Sequence, residues 1–304
     1  MTMVFRRLAS FLTTALLLGS ALSACQPQAL PPSLQFQPAR LQRQAAFQRP
    51  LRRKLMRLRP DRLRVQVEAA DLQLARGSGL PVKVDLRALD SAIDDQGELG
   101  SCTGFSIKAA RELMLKRDGQ PATALSPLFL YYHERRLEGS LDEDAGAEIG
   151  TGMKVLQTVG IAPEALWSYD PSNDNNPLTK EKFQLPPSSA AEQAAPGYRV
   201  AQIKSLRTLR QIRTELAKRN PVVIGMEVFE AFNEPPGGLL TLPQPGEETQ
   251  GGHAVLVVGY DDARGLLIVR NSWSTQWGDQ GYFYMPYEYV RRGLASDAWV
   301  ASRL

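Results

Sequence analysis

The pattern of polar and apolar positions divides the chain into three stretches. From Leu8 to Leu18 the side chains are mostly apolar, in a run too short to cross a hydrocarbon core of about 30 Å. In the second stretch the apolar positions thin out. Leu51, Leu55 and Leu58 recur there at helical spacing among Arg52, Arg53, Lys54, Arg57 and Arg59, until Pro60 stops the pattern.

From Leu80 onward the texture is globular. Ser101 to Arg117 predicts a helix with Phe105, Ala109 and Leu113 on one stripe. Ser126 caps a second helix, with Pro127 at its first position, running through Leu137. A third is expected over Thr151 to Val159, ending at Gly160, and a fourth after a cap at Ser205, carrying Leu206, Leu209, Ile212 and Leu216. After Pro221 the period becomes that of strands: Val222–Val228, His253–Tyr260, Leu266–Asn271 and Gly281–Met285. Helices first and strands later predict an α+β domain of two lobes with a cleft between them. No internal repeat interrupts this order.

Composition narrows the picture. A chain of 304 residues, 43% hydrophobic, is long enough to build its own core, which excludes a small disulfide scaffold and disorder along the whole length. Two Cys and two His leave no room for a multi-Cys/His zinc site, and no metal or cofactor is expected. The net charge of +4 hides an asymmetry: residues 26–79 carry eleven Lys/Arg against three Asp/Glu, so residues 80–304 are net acidic.

The first stretch reads as an export signal over residues 1–24. Arg6 and Arg7 precede the apolar run, which ends in Leu22-Ser23-Ala24-Cys25. This ending resembles the lipobox of bacterial lipoproteins, which implies cleavage before Cys25 and a diacylated cysteine holding the protein on an extracytoplasmic membrane face. An ordinary signal cut after Ala24 is the alternative. Residues 25–79 then form a Gln/Pro-rich and basic tether, with 40–64 resting on anionic lipid or wall polymer, acting as a solvated spacer, or serving as a short pro-segment. Nucleic acid is not an expected partner of an exported chain, and a monomer is expected.

With Cys25 set aside, Cys102 is the one remaining thiol. Glycines at 97 and 100 mark a tight loop leading into the helix that begins near Cys102. A thiol at a helix N-terminus faces the positive end of the macrodipole, which favours thiolate. A thiolate nucleophile needs an imidazole partner. His133 lies in Tyr132-His133-Glu134-Arg135-Arg136 and is expected as a solvated or hydrogen-bonded residue on a helix surface, whereas His253 follows Gly251-Gly252 at the mouth of an apolar strand. A cleft-facing ring and an edge histidine with a satisfied hydrogen bond are both open for His253. Asn271, at the end of another strand, can orient an imidazole without adding charge, and Trp273 can shield that hydrogen bond.

The segment Gln96–Cys102, then Gly252-His253-Ala254-Val255, then Asn271-Ser272-Trp273-Ser274-Thr275-Gln276-Trp277-Gly278 resembles the papain family of cysteine peptidases, and Leu80 to Arg87 resembles the start of its mature domain. The likeness covers about residues 80–304. It implies a helical N-terminal lobe, an antiparallel β-sheet or barrel C-terminal lobe, and an active-site cleft between them. It implies Cys102 as nucleophile, His253 as acid and base, Asn271 as orienter, and an oxyanion hole from the Gln96 side chain and the Cys102 N–H. Gly146 and Ala147 match the stretch that pairs with substrate backbone.

Some positions depart from the family. Leu99 replaces a cysteine that is usually disulfide-bonded, so that lobe is expected to rely on packing alone. Thr103 replaces an aromatic, and Ala147 a glycine. The implied activity is a surface-tethered endopeptidase acting on polypeptides through a thioester. The competing readings are an acyl transferase or amidase on envelope peptides with the same residues, and a catalytically silent peptide-binding module.

Overall fold

The structure, a computed structural model, describes residues 79–169 and 182–302. The expected signal, Cys25 and the basic segment lie outside these residues, Gly79 apart. Among the described residues no helix is long and apolar enough to cross a membrane.

Three helices make the first layer: α1 Cys102–Arg117, α2 Pro127–Glu138 and α3 Ile149–Thr158. Helix α1 is buried nearly all round, because α2 and α3 cover one side and the sheet covers the other. The α1–α2 crossing is close enough that a Cβ on Gly104 would lie 2.4 Å from the Pro127 carbonyl oxygen. Helix α2 starts as expected: Ser126 Oγ accepts from the Phe129 N–H at 3.1 Å, Pro127 takes the first position, and Gly139 closes the end at φ 70°.

A short α4, Ser189–Ala194, flanks the helical layer, and α5, Leu209–Ala217, lies against the sheet. Helix α5 starts later than expected. Thr208 is its cap, accepting from the Gln211 N–H at 3.1 Å, and Ser205 and Leu206 belong instead to strand β2, Gln202–Leu206. The apolar spacing could not reveal this, since Leu206 fits a buried strand end as well as a helix stripe.

The sheet is antiparallel and has seven strands. Strands β3 (Val222–Val228), β4 (Gly251–Asp261), β5 (Leu266–Arg270) and β6 (Tyr282–Pro286) fall where the alternation put them, within two residues. Two were not expected as strands, β1 (Lys83–Asp85) and β7 (Ala295–Ser302), in addition to β2. The order is β2-β7-β3-β4-β5-β6, with α6, Tyr287–Arg291, after β6. Strand β4 is long enough to pair β3 along its first half and β1 along its second, so the start of the domain is sewn to the strand that carries His253. One core joins α1 to the inner face of the sheet, and a smaller one gathers Leu99, Leu128, Tyr131 and Ala147 under the helical layer. The architecture is the α+β fold expected, helical first and antiparallel after.

Candidate active site

The site forms where residues 90–102 run along the seam between α1 and the segment after β5. Backbone bonds fasten this seam: the Gln96 N–H donates to the Ser272 carbonyl at 2.9 Å, and the Ser274 N–H to the Asp94 carbonyl at 3.0 Å. Arg270, the last residue of β5, sits beneath it at 3% exposure. Its Nη1 donates to Asp90 Oδ1 (2.7 Å) and the Ser91 carbonyl (2.8 Å), and its Nη2 to the Ala92 carbonyl (2.5 Å) and Asp94 Oδ2 (2.9 Å). A guanidinium this deep is tolerable only when its N–H groups are met, and losing one carboxylate would strand a buried charge. Arg270 thereby locks the segment carrying Gln96 to the strand leading into Asn271.

Gln96 is buried and its amide is fixed at both ends. Ser272 Oγ donates to Oε1 at 2.6 Å, and Nε2 donates to the Leu99 carbonyl at 3.1 Å. Tyr169 Oη donates to the Gln96 carbonyl at 2.5 Å, lies 3.2 Å from Ser101 Oγ, and the ring packs edge-on against Phe105. The loop does not rest on packing alone, contrary to the expectation drawn from Leu99. Asp144 Oδ1 accepts from the Gly100 N–H at 3.0 Å and from Tyr131 Oη at 2.5 Å, and the Gly146 N–H donates to the same Tyr131 Oη at 3.1 Å. An acidic side chain thus ties the Gly146–Ala147 stretch to the loop before Cys102, with Ala147 buried beside Leu99.

Cys102 opens α1 at 2% exposure, with the Ala254 N–H of β4 directed at its sulfur. His253, one residue earlier on β4, is fully buried, and its Nε2 lies 2.7 Å from Asn271 Oδ1. The Ser272 backbone N–H also reaches Oδ1, at 2.9 Å. A backbone amide can only donate, so it fixes that atom as the amide oxygen. In the neutral ring Nε2 must then carry the proton, which leaves Nδ1 as the basic nitrogen. Trp273 stacks on the imidazole at 5.1 Å and 27°, and Phe232 meets it edge-on at 5.7 Å. Trp277 Nε1 anchors this aromatic wall by donating to the Asn233 carbonyl at 2.9 Å.

The N–H groups of Cys102, Thr103 and Ala254 all favour thiolate, as the helix start suggested. Burial acts the other way and is the larger influence, pushing the Cys102 thiol up to about 12.

His133 is hydrogen-bonded, one of the two expectations, with Nε2 3.1 Å from Glu192 Oε1 of α4, but it is buried against the Phe129 and Tyr132 rings rather than lying at the surface. The charged spelling of that helix concealed the change, because Glu134 and Arg135 are buried beside it. The four residues expected at the site, Gln96, Cys102, His253 and Asn271, share one seam. Sequence reasoning passed over Ser272, Tyr169, Arg270, Asp144 and Phe232. Only Ser272 carried a signal, by adjacency to Asn271.

A family model described as papain family cysteine protease matches residues 80–301. An uncharacterized peptidase C1-like protein of Acanthamoeba polyphaga mimivirus is 39% identical over 220 residues, covering 68% of each chain. Peptidase 1 of Dermatophagoides pteronyssinus is 27% identical, the match taking in 67% of this chain and 60% of that relative's length. Among solved structures, xylellain, a cysteine protease from Xylella fastidiosa, superposes with a TM-score of 0.67 at 33% identity, over 78% of this chain and 90% of that one. A Carica candamarcensis cysteine protease in complex with E-64 shares the fold, with a TM-score of 0.57 at 24% identity over 74% and 99%.

Proposed function

The chain belongs to the papain family of cysteine proteases and is a cysteine-type peptidase, and from that premise we propose that it cuts polypeptides internally through a thioester on Cys102. The observation that carries this reading is the doubly fixed Asn271 oxygen, which sets the His253 tautomer so that Nδ1 is the nitrogen able to take a proton.

The steps follow from that assignment. As a peptide carbonyl enters, the Cys102 sulfur attacks its carbon and the thiol proton passes to Nδ1 of His253, giving an imidazolium that Asn271 Oδ1 stabilises through Nε2–H. The second N–H of the Gln96 amide and the Cys102 backbone N–H hold the oxyanion. The imidazolium then protonates the departing amine nitrogen, the C–N bond breaks, and a thioester remains. Water attacks that thioester, its proton returns through His253, and the sulfur leaves as thiol. Gly146 and Ala147 offer backbone to the substrate on the helical side.

The protein is exported from a bacterial cell and acts on the outer face of a membrane, held by lipid on Cys25, with residues 26–79 as a leash and 40–64 touching anionic lipid or wall polymer. Support comes from the apolar run ending at Cys25 and from the basic spacer. Turnover of a protein substrate in ¹⁸O water with a competing amine tests the chemistry: ¹⁸O in the new C-terminus marks hydrolysis, and amine incorporation marks acyl transfer. Cys102→Ala and His253→Ala should both abolish turnover. Cys25→Ala should move the full chain from the membrane to the soluble fraction, and membrane retention would refute the anchor.

A further inference from the structure

Directly behind the nucleophile lies a carboxyl group that the catalytic steps do not use. Glu134, on α2, is fully buried where α1, α2 and α3 meet. Its Oε2 accepts from Thr103 Oγ1 at 2.6 Å, and Thr103 is the residue immediately after Cys102. Among the described residues its Oε1 has no hydrogen-bond partner. The surroundings are closed: a Cβ on Gly152 of α3 would lie 2.3 Å from that Oε1 and 2.4 Å from Ile107 Cδ1.

We propose that Glu134, acting through Thr103, is a positioning residue whose protonation state governs the reactivity of Cys102, turning the nucleophile down when the carboxyl ionises. An ionised carboxylate in this dry junction would have one hydroxyl for company, whereas the neutral acid tolerates the site. Burial accordingly raises Glu134 to about 8, and its charge acts on Cys102 in the direction that disfavours thiolate. The ionisable groups around it are few. On its own helix Glu138 adds repulsion and Arg135 a weaker attraction, the Arg135 guanidinium being spent on the Leu141, Glu143 and Phe183 carbonyls. Helix α1 presents Thr103 and Cys102, and α3 presents Gly152.

The proposal rests on the reading of Cys102 as nucleophile, so the test reads the sulfur directly. The rate of Cys102 carbamidomethylation by iodoacetamide is followed by peptide mass in the full chain from pH 6 to 9.5, for wild type, Glu134→Gln and Thr103→Val. The ratio of Glu134→Gln to wild type should be flat below about pH 7 and rise about fivefold by pH 9 toward a tenfold limit, the equivalent of one pKa unit on the thiol. Thr103→Val removes a hydrogen bond that favours the carboxylate, so the wild-type inflection should move to higher pH. A ratio that does not change with pH overturns the proposal. If Glu134→Gln does not fold, an inflection left in place by Thr103→Val overturns it instead. Failure of the peptidase reading is separate, because it would appear as turnover surviving in Cys102→Ala.

Discussion

Replacing Asn271 with alanine removes the acceptor of two buried donors at once. The His253 ring is fully buried and Asn271 is 2% exposed, so water cannot readily stand in for the lost Oδ1. The Nε2–H at 2.7 Å and the Ser272 N–H at 2.9 Å would both lose their partner. Each buried unsatisfied donor costs about 1–3 kcal/mol, and their closeness to one vacated space makes about 2–4 kcal/mol the expected total. The kinetic consequence is distinct. Without Oδ1 neither ring nitrogen is favoured for the proton, and Nδ1 ceases to be the committed base. General acid–base catalysis contributes about 10²–10⁴-fold, and loss of orientation should forfeit part of it, a fall in kcat/KM of about 10- to 100-fold. The assay is kcat/KM on a fluorogenic peptide beside thermal unfolding, with Asn271→Asp as companion. Aspartate keeps the acceptors and adds charge, so it should restore much of the stability and raise the pH at which the His253 imidazolium loses its proton. Activity within twofold of wild type in Asn271→Ala would refute the tautomer argument.

Gln96→Ala should lower kcat by about 10²–10³-fold while leaving KM within a few-fold, since the amide is asked to act on the oxyanion rather than on the bound peptide; steady-state kinetics check it. Asp144→Ala should cost about 1–2 kcal/mol by stranding the Gly100 N–H and Tyr131 hydroxyl where Asp144 is only half-buried, read as a fall in Tm of about 2–6 °C. Glu134 makes a pH prediction of definite sign. Its folded value is raised to about 8 from an ordinary 4.5, so the folded state holds the extra proton in that window and stability falls as pH rises from about 4.5 to 8. Relative to Glu134→Gln, wild type should lose at most about 1.4 kcal/mol per pH unit across it in urea melts, with no further divergence above it.

The elements that announced themselves in the sequence were those with one buried face or a chemical start signal. Strand β3 was legible to the residue because Pro221 precedes a short apolar run that gives way to a turn-rich loop, and α2 because Ser126-Pro127 spells a helix start. Strand β7 was illegible: Ala295–Ser302 mixes small, charged and aromatic residues, and its pairing with β2 and β3 is a long-range event that no local pattern records. The residues that meet in the seam were legible at Cys102 and His253 because the chain has two Cys and two His, and at Asn271 because the surrounding motif is distinctive. What holds them was not. Arg270, Asp144 and Tyr169 act through partners distant in sequence, and Glu134 sits in a string of charged residues that reads as surface until the packing of α1 and α3 encloses it. The balance between helix-end stabilisation and desolvation at the Cys102 sulfur is likewise a property of the folded site.

Catalysis turns on Cys102 forming the thioester while His253 takes the thiol proton. The direct measurement is acid-quench trapping: full-length protein is mixed with a peptide ester, quenched within milliseconds, and the Cys102 peptide is weighed. An acyl adduct should accumulate on Cys102 in wild type before steady state and be absent in His253→Ala. Turnover proceeding with no adduct on Cys102, or an adduct forming as fast without His253, would contradict it.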